Sequence, residues 1–356
     1  MAGQLKGTKN VRTTAITCVK NEGPFLLEWI AYNRVIGITD QLFYSNDCDD
    51  GTDDLLDALD KSSVLTHLPN PAKGRKFQME ALRHARRQDM VKNADWVWVA
   101  DVDEFLNIHV GDGTVPELVQ ACDDPDAISV THQYFANAGV ERFADKPVIE
   151  QFQHSHNPDI WCDRLDIEVK TLIKTGFPAH YYGVHRPYIE AGLKPRNYPK
   201  WTDGSGRRVP RPFLENDGKP RIFGYTASGS RRHATVNHYA LRSLESYLVK
   251  SDRGDANRDF RFFDDSYWRD RNDDAYHDVS IQRHLPRLKK EIAAIKALAG
   301  VAKLHKVCVN RHREKSAALM KNPEYAALHR SLKDAPRIPP TELALIEQFE
   351  KGLSAA

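Results

Sequence analysis

Short apolar runs alternate with helical patterns from residue 13 to about residue 135, and this alternation restricts the fold more than any other feature. The runs cover residues 15–19, 42–44, 64–68, 96–100 and 128–130. Apolar runs of this length, separated by helix-length segments, predict a mostly parallel sheet whose strands are joined by crossover helices. With 356 residues the chain can bury a large core. The sequence therefore predicts an α/β protein with helices on both faces of its sheet.

Local signals place the helices between and beyond these runs. Pro24 can open the first helix, and a second begins near Thr52. Residues 76–92 predict a third helix, and Thr114 with Glu117 makes a capping box for a fourth. Beyond residue 278 the chain is predicted to be mainly amphipathic helix, because apolar residues recur along one helical face at Leu285, Leu288, Ile292 and Ile295.

Charge and cysteine content argue against several classes of protein. Lys and Arg total 51 against 49 for Asp and Glu, so bulk charge does not favour nucleic-acid binding. Five scattered cysteines without a CxxC pair favour a reducing compartment over a disulfide or zinc framework. The first residues lack the apolar stretch of a secretion signal, and no run is long enough to span a membrane. We therefore expect a cytoplasmic protein that binds no nucleic acid.

Three carboxylates follow the apolar run 96–100 within four residues, at Asp101, Asp103 and Glu104. In open α/β sheets, ligands bind at the carboxyl ends of the strands. Alternate residues of an extended segment point the same way, so Asp101 and Asp103 can address one site together. Oxygen ligands of this kind suit Mg²⁺ or Mn²⁺ whose coordination is completed by substrate phosphates. The alternative is a solvated acidic turn without a ligand.

Three blocks together resemble a known family. They are TAITCVKNEGPFLLEWIAYNRVIGITDQLFYSNDCDDGT near the start, ADVDEF in the middle and VNHYALRSLESYLVKSDRG late in the chain. In this order, over about residues 13–255, they resemble the bacterial glycosyltransferases of the GT-A fold that are related to family 2. The resemblance implies a Rossmann-like mixed sheet and metal-dependent transfer of a sugar from a nucleotide-sugar donor to an acceptor hydroxyl. It favours a UDP-sugar donor and a glycan or lipid-linked acceptor.

The resemblance also assigns residues to the donor site. The end of the first strand would line the base and ribose pocket with Cys18, Val19, Lys20, Asn21 and Glu22. The end of the second strand would face this pocket with Asn46, Asp47 and Asp49. For this second group an ordinary turn before a helix is the alternative. Near the donor sugar the resemblance places Lys76 and Gln78, although a basic side chain on a helix is usually only solvated.

Metal ligands and phosphate contacts are implied by the middle and late blocks. A divalent cation, Mn²⁺ or Mg²⁺, would be held by Asp101, Asp103 and His238, and Asp101 would also contact the donor. A neutral imidazole can complete the coordination of such a metal. Lys250 and Arg253 would supply positive charge to the departing diphosphate. The alternative for this pair is a basic helix C-terminus that only interacts with the helix dipole.

The acceptor side offers two candidate catalytic residues. Relatedness to family 2 implies inversion at the anomeric carbon, and therefore a carboxylate that acts as general base. Asp163 is the predicted base, with Asp166 and Glu168 behind it. His185 is the second candidate, and it could orient the acceptor hydroxyl, bind metal or cap a turn.

These assignments divide the chain into three parts. An N-terminal tail, a catalytic domain and a C-terminal helical region cover residues 1–12, 13–275 and 276–356. The catalytic domain comprises a donor half, 13–135, and an acceptor half with a lid, 136–275. The loop-rich segment 194–232 is the predicted lid, whose Trp201 would close over bound sugar. The sequence leaves the oligomeric state open.

Two other functions stay open on the sequence alone. The chain could be a GT-A module that binds nucleotide or glycan without turnover. It could also be a phosphotransferase related to the haloacid dehalogenases, because DVDEF is similar to an aspartyl nucleophile motif. That motif normally lies on the first strand, whereas DVDEF follows the fourth run. The basic C-terminal region could contact anionic lipid at the inner membrane or only coat a helical cap.

Overall fold

The alternating apolar runs form the predicted sheet. A computed structural model describes residues 11–74, 76–158, 167–216, 224–254, 263–338 and 340–354. The strands are β1 (Thr13–Val19), β2 (Asp40–Ser45), β3 (Thr66–Pro69), β4 (Trp96–Val99), β5 (Glu104–Ile108), β6 (Ala127–Tyr134), β7 (His154–Ser155), β8 (Val169–Lys174), β9 (Ala179–Tyr182), β10 (Pro187–Ile189), β11 (Trp201–Asp203), β12 (Ala234–His238) and β13 (Tyr276–His277).

The main sheet has the order β3-β2-β1-β4-β8-β6-β12-β5, and β11 pairs with β6 outside this path. The strands β1 to β4 run parallel to one another. In contrast, β8 runs antiparallel between β4 and β6, and β5 runs antiparallel to β12. Because β1, β2 and β4 are parallel, the segments that follow Val19, Ser45 and Val99 leave the sheet at one edge. This is the edge at which ligands bind in open α/β sheets.

Helices cover both faces of the sheet. They are α1 (Leu26–Val35), α2 (Thr52–Lys61), α3 (Phe77–Ala85), α4 (Asp89–Lys92), α5 (Val115–Ala121), α6 (Val148–Gln151), α7 (Arg211–Leu214), α8 (Leu244–Arg253), α9 (Asp265–Arg269), α10 (Leu285–Lys296), α11 (Val301–Leu319), α12 (Pro323–Lys333) and α13 (Pro340–Ser354). Alternate side chains of β1 enter separate cores, since Ala15 belongs to the cluster with Leu27 of α1 and Ile16 to the cluster with Leu82 of α3. No helix in the described ranges is long and apolar enough to cross a bilayer.

The predicted fold class is confirmed, since the protein is α/β with a large mixed sheet, helices on both faces and a run of helices at its C-terminal end. The capping box of Thr114 and Glu117 is present at the start of α5. The apolar stripe of α10 is also confirmed, because its Leu288 and Ile295 are buried. The single helix predicted for residues 76–92 is wrong, because Gln88 has extended backbone angles and separates α3 from α4.

The predicted role of Trp201 in a lid is wrong. Trp201 lies on β11, pairs with Ala127 of β6 and is 1% exposed. Its indole Nε1 donates a hydrogen bond to Ser129 Oγ at 2.9 Å. The large apolar side chain in this Pro- and Gly-rich stretch therefore anchors the segment in the core and cannot close over a ligand.

A buried carboxyl group joins α1 to α6. Glu28 accepts hydrogen bonds from the backbone N–H groups of Val148 at 2.6 Å and Ile149 at 3.1 Å. Burial raises the pKa of Glu28 to about 7, although both hydrogen bonds favour the charged form. Since the pKa in the folded state lies above the unfolded value, the protein should lose stability as the pH rises from about 4.5 through about 7.

We expect Glu28→Gln to remove this pH dependence. At pH 5 the variant should be less stable by about 1 to 3 kcal/mol, because its amide can accept from only one of the two backbone N–H groups. The difference in the free energy of unfolding between the native protein and the variant should become smaller as the pH rises to 8, since only the native side chain ionises. Urea unfolding of both proteins at several pH values measures this difference. A difference that stays constant or grows as the pH rises would contradict the prediction.

Candidate active site

The acidic segment after β4 forms a tight turn. The strand ends at Val99, and the N–H of Glu104 donates to the carbonyl oxygen of Asp101 at 3.0 Å. The side chain of Glu104 closes the turn from the other side, because its Oε2 accepts the N–H of Asp101 at 2.9 Å. The segment is therefore not extended, and the premise that Asp101 and Asp103 alternate on one strand is wrong. Their side chains meet different partners.

Asp101 faces Lys170 and Gln78. Lys170 Nζ lies 3.1 Å from Asp101 Oδ2 and 2.9 Å from Glu104 Oε2, and its side chain is fully buried. Gln78 Nε2 donates to Asp101 Oδ1 at 3.1 Å. Burial opposes the charge on Lys170, but the two carboxylates raise its pKa above the usual range. This lysine of β8 was not predicted as a site residue.

Asp103 faces Lys250 and His238. Lys250 Nζ lies 2.9 Å from Asp103 Oδ2, and His238 Nε2 lies 3.6 Å from Oδ1. Burial alone would raise the pKa of Asp103, but Lys250 and His238 hold it well below its usual range. The structure thus brings together three of the predicted residues from the middle and late blocks. Whether Asp101, Asp103 and His238 share a cation stays a prediction.

A second set of ligand atoms lies beside this turn. Glu104, His132 and His238 each offer one ligand atom, and these atoms lie within 4.8 Å of one another. His132 Nε2 lies 3.4 Å from Glu104 Oε1 without forming a hydrogen bond. Neither ring nitrogen of His132 has a hydrogen-bond partner in the part of the chain that the structure describes. Burial lowers the pKa of His132 well below its usual range, so the ring is neutral. A neutral imidazole pair with a carboxylate can hold a divalent cation.

Sequence reasoning missed Glu104 and His132 as ligands. Strand pairing brings them together, because Glu104 is opposite His238 and His132 is opposite Val236 in the sheet. The available signal was a histidine on a strand whose residues are all buried, although this strand also contains Ser129, Thr131 and Gln133. Burial raises the pKa of Glu104, and Lys170 opposes this rise while Asp101 and Asp103 add to it.

The predicted donor residues at the ends of β1 and β2 also meet. Asn21 and Asp49 exchange two hydrogen bonds, from Asn21 Nδ2 to Asp49 Oδ1 at 2.6 Å and from the N–H of Asp49 to Asn21 Oδ1 at 2.9 Å. The N–H of Asn46 donates to the carbonyl of Val19 at 3.2 Å. Burial raises the pKa of the Cys18 thiol, and the negative charge of nearby Asp101 adds to the effect.

Three other predicted donor residues are exposed or only half-buried. Lys76 is exposed at the start of α3 in a left-handed backbone conformation, and Asp47 is exposed with positive φ. Lys20 is half-buried, and its carbonyl accepts a hydrogen bond from Arg253 Nη1 at 2.8 Å. Their roles toward a donor stay predictions.

A buried ion cluster connects β1 with α8. Glu22 Oε2 lies 2.8 Å from Arg242 Nη1, and Glu22 Oε1 contacts Arg253 Nη1. All three side chains are at most 12% exposed. Burial would raise the pKa of Glu22, but the two guanidinium groups lower it. Glu22 and Arg253 were predicted, whereas Arg242 was not.

The described acceptor-side candidates lie together near the turn. His185 Nε2 is 3.7 Å from Glu168 Oε1, and His185 Nδ1 is 3.2 Å from the carbonyl oxygen of Val169. Burial lowers the pKa of His185 to about 4, so the imidazole is neutral at pH 7. The other predicted bases, Asp163 and Asp166, lie outside the described residues.

Comparisons with known proteins support a glycosyltransferase. The model of glycosyltransferase family 92 matches residues 14–177, which contain β1 to β4 and the acidic turn. A family 92 protein of Oryza sativa subsp. japonica is 33% identical over 108 residues, covering 29% of this chain and 17% of that protein. A family 92 protein of Ricinus communis is 32% identical over 111 residues, covering 30% of this chain and 19% of that protein. The matched segment thus spans less than a fifth of each relative.

Two solved structures of S. aureus TarS are also similar. One has a TM-score of 0.31 and 10% identity, covering 49% of this chain and 31% of that chain. The other, TarS 1–349, has a TM-score of 0.31 and 8% identity, covering 87% of this chain and 92% of that chain. Scores this low carry no argument about function. The predicted likeness to glycosyltransferases is confirmed, whereas the assignment to the bacterial branch of family 2 stays a prediction.

We expect Glu22→Gln to destabilise the protein by about 3 to 5 kcal/mol, because the change leaves two buried guanidinium groups without their carboxylate. Glu80→Gln is the matched control, since Glu80 pairs with Arg83 at the surface and should cost less than about 1 kcal/mol. Urea unfolding of both variants measures the difference. Equal and small losses would show that the Glu22 cluster contributes no more than a surface ion pair.

Proposed function

We propose that this chain is a metal-dependent, inverting glycosyltransferase. It moves a sugar from a nucleotide-sugar donor, with UDP-sugars favoured, to a hydroxyl group of a glycan or lipid-linked acceptor. The observation that carries the proposal is the meeting of the β1, β2 and β4 ends at one sheet edge, within the segment that matches family 92. A nucleotide fits the first two strand ends, and its diphosphate would lie toward the acidic turn.

The side chains near the turn fit a divalent cation. Carboxylate groups are ligands for Mg²⁺ and Mn²⁺, and imidazole groups suit divalent cations that prefer nitrogen ligands. His132 and His238 have buried ring nitrogens without hydrogen-bond partners among the described residues. Two ligand sets share His238, one with Asp101 and Asp103 and one with Glu104 and His132. A bound cation would stabilise negative charge on the departing diphosphate.

Lys250 and Arg253 would add fixed positive charge at the same place. Both extend from the last turn of α8 toward strand ends, where Lys250 contacts Asp103 and Arg253 contacts Glu22 and the carbonyl of Lys20. A diphosphate bound near these strand ends would replace a carboxylate as the anionic partner of Lys250 or Arg253. Preorganised charge of this kind is usually the largest contribution to the stabilisation of a developing anion.

The neutral imidazole of His185 and the carboxylate of Glu168 are the described groups that could accept the proton of the acceptor hydroxyl. Burial would raise the pKa of Glu168, but nearby positive charge, including that of Arg271 and Lys170, lowers it, so this carboxylate is ionised at neutral pH. Nδ1 of His185 faces a carbonyl oxygen and would carry the ring proton, which leaves Nε2 as the basic nitrogen. Asp163 remains a third candidate.

A module that binds nucleotide or glycan without turnover is the second candidate function. It would share the strand ends and the acidic turn with the enzyme and would differ from it in the absence of turnover. The phosphotransferase hypothesis is weaker, because DVDEF follows β4, the fourth strand of the chain, whereas the aspartyl nucleophile motif normally lies on the first strand.

Binding of the cation can be assigned by thermal shift. We expect UDP to raise the Tm of the native protein only when Mn²⁺ is present, because a ligand of the folded state stabilises it by mass action. Asp101→Asn should abolish the response if the turn carboxylates hold the cation, and His132→Phe should abolish it if the buried imidazole pair does. Asp89→Asn, at a position that is 89% exposed, is the control. A full response from both test variants would contradict the proposed metal site.

Turnover separates the enzyme from the binding module. In a panel of common nucleotide sugars we expect at least one, a UDP-sugar by preference, to be hydrolysed slowly to free sugar and its nucleoside diphosphate when metal is present and no acceptor is added. Glu168→Gln should lower the kcat of this reaction by about 10²- to 10⁴-fold if Glu168 is the base. UDP binding should not change. His185→Gln gives the same test for the imidazole, and Asp124→Asn, 70% exposed, is the control. Full activity of both variants would exclude both groups as the base, and no release from any donor would favour the binding module.

A further inference from the structure

The short helix α9 and its neighbour α8 fix the position of Arg271, which no motif in the sequence singles out. Asp264 caps α9 with its side chain, and the hydroxyl group of Tyr247 in α8 donates to the carbonyl oxygen of Asp264 at 2.6 Å. Trp268 of α9 is 1% exposed, and its carbonyl oxygen accepts the N–H of Arg271 at 3.1 Å. The backbone at Arg271 is therefore held against α8, the helix that also carries Lys250.

Two tyrosine rings hold the guanidinium group of Arg271. Its Cζ lies 3.9 Å from the ring centroid of Tyr267 and 5.3 Å from that of Tyr134. The Tyr267 ring centroid is also 5.7 Å from Lys250 Nζ, and the Tyr134 ring centroid is 5.7 Å from that of His238. Lys250 and His238 are the residues of the late block that reach the acidic turn, so Arg271 adjoins the same site. Contact with aromatic rings orients a guanidinium group and leaves its edge open to an anion.

The guanidinium group of Arg271 has no anionic partner within the part of the chain that the structure covers. Its Nε is buried without a hydrogen bond, whereas its two terminal nitrogens reach the accessible surface of the partly buried side chain. Burial opposes the charge of Arg271, but nearby groups, including Glu168, raise its pKa, so the side chain is a cation. In contrast, Lys170, Lys250 and Arg253 are each paired with a carboxylate. A partly buried cation without a pairing carboxylate is unfavourable unless a ligand supplies the anion.

We propose that Arg271 binds the terminal phosphate of the donor's diphosphate, the phosphate that carries the sugar. This proposal rests on the proposed function, which places the diphosphate toward the acidic turn. Arg253 lies at the end of β1, nearer the expected nucleoside, whereas Arg271 lies near His238 and Glu168, nearer the bond that breaks. A guanidinium group offers two parallel N–H donors that match two phosphate oxygens. Arg271 can make this contact without giving up an ion pair, unlike Lys250 and Arg253.

Calorimetric titration of the full chain with UDP, UMP and uridine, each in the presence of Mn²⁺, tests the proposal. We expect Arg271→Met to weaken UDP by about tenfold or more, because a charge-assisted contact is lost, and to leave UMP and uridine unchanged, because they lack the terminal phosphate. Unchanged UDP affinity would overturn the proposal and leave the proposed function intact. Equal weakening of all three probes would also overturn it, since the nucleoside pocket would then be disturbed. If the native protein binds none of the probes, the proposed donor site fails, and the role of Arg271 fails with it.

Further variants separate loss of charge from disturbed packing. The unbranched side chain in Arg271→Met can still pack between the two tyrosine rings, and Arg271→Lys keeps a positive charge there without the planar pair of donors. Arg271→Lys should therefore bind UDP more tightly than Arg271→Met does and less tightly than the native protein. Arg269→Gln is the matched control, because Arg269 ends the same helix, is 45% exposed and pairs with Asp265. The Tm of each variant without ligand reports its folding. A loss of UDP affinity in Arg269→Gln as large as that in Arg271→Met would overturn the proposal.

Discussion

A buried lysine holds the acidic end of β4 together. Asp101 and Glu104 lie on one turn, and without a positive charge between them their burial would be strongly unfavourable. Lys170 supplies that charge from β8, the strand that runs antiparallel between β4 and β6. The insertion of this strand therefore has a chemical consequence, since it carries an ammonium group to the end of its neighbour. This contact and the hydrogen bonds between Asp101 and Glu104 hold the turn together.

Helix α8 supplies positive charge to two other carboxylates, those of Asp103 and Glu22. Lys250 and Arg253 are one helical turn apart, and they reach Asp103 after β4 and Glu22 after β1. One helix thus connects the ends of two adjacent strands by charge. Buried ion pairs of this kind contribute little net stability compared with apolar packing, so their concentration at one sheet edge favours a role in binding. A ligand with negative charge can replace one partner without leaving a buried cation alone.

The parts of the fold that depend on local signals were predictable. The capping box at Thr114 and the stripe on α10 follow from spacing within a few residues, and tertiary packing preserved both. The strand order does not follow from spacing. The contacts of Lys170 with Asp101 and of His132 with Glu104 depend on which strands are neighbours in the sheet. The spacing of residues in the sequence does not predict these neighbours. Trp201 was misjudged because its surroundings in the sequence are typical of a loop, whereas pairing of β11 with β6 buries it.

The strands β6 and β12 carry buried polar side chains on both faces of the sheet. Near its end, β6 places His132 on one face and Gln133 on the other, and both are at most 2% exposed. Opposite faces of β12 likewise carry His238 and Thr235. Polar groups buried on both faces are costly unless they have partners, and a purely structural strand would avoid them. The unmatched ring nitrogens of His132 and His238 on one face therefore favour the proposed cation, because a metal ion is small enough to bind buried ligand atoms.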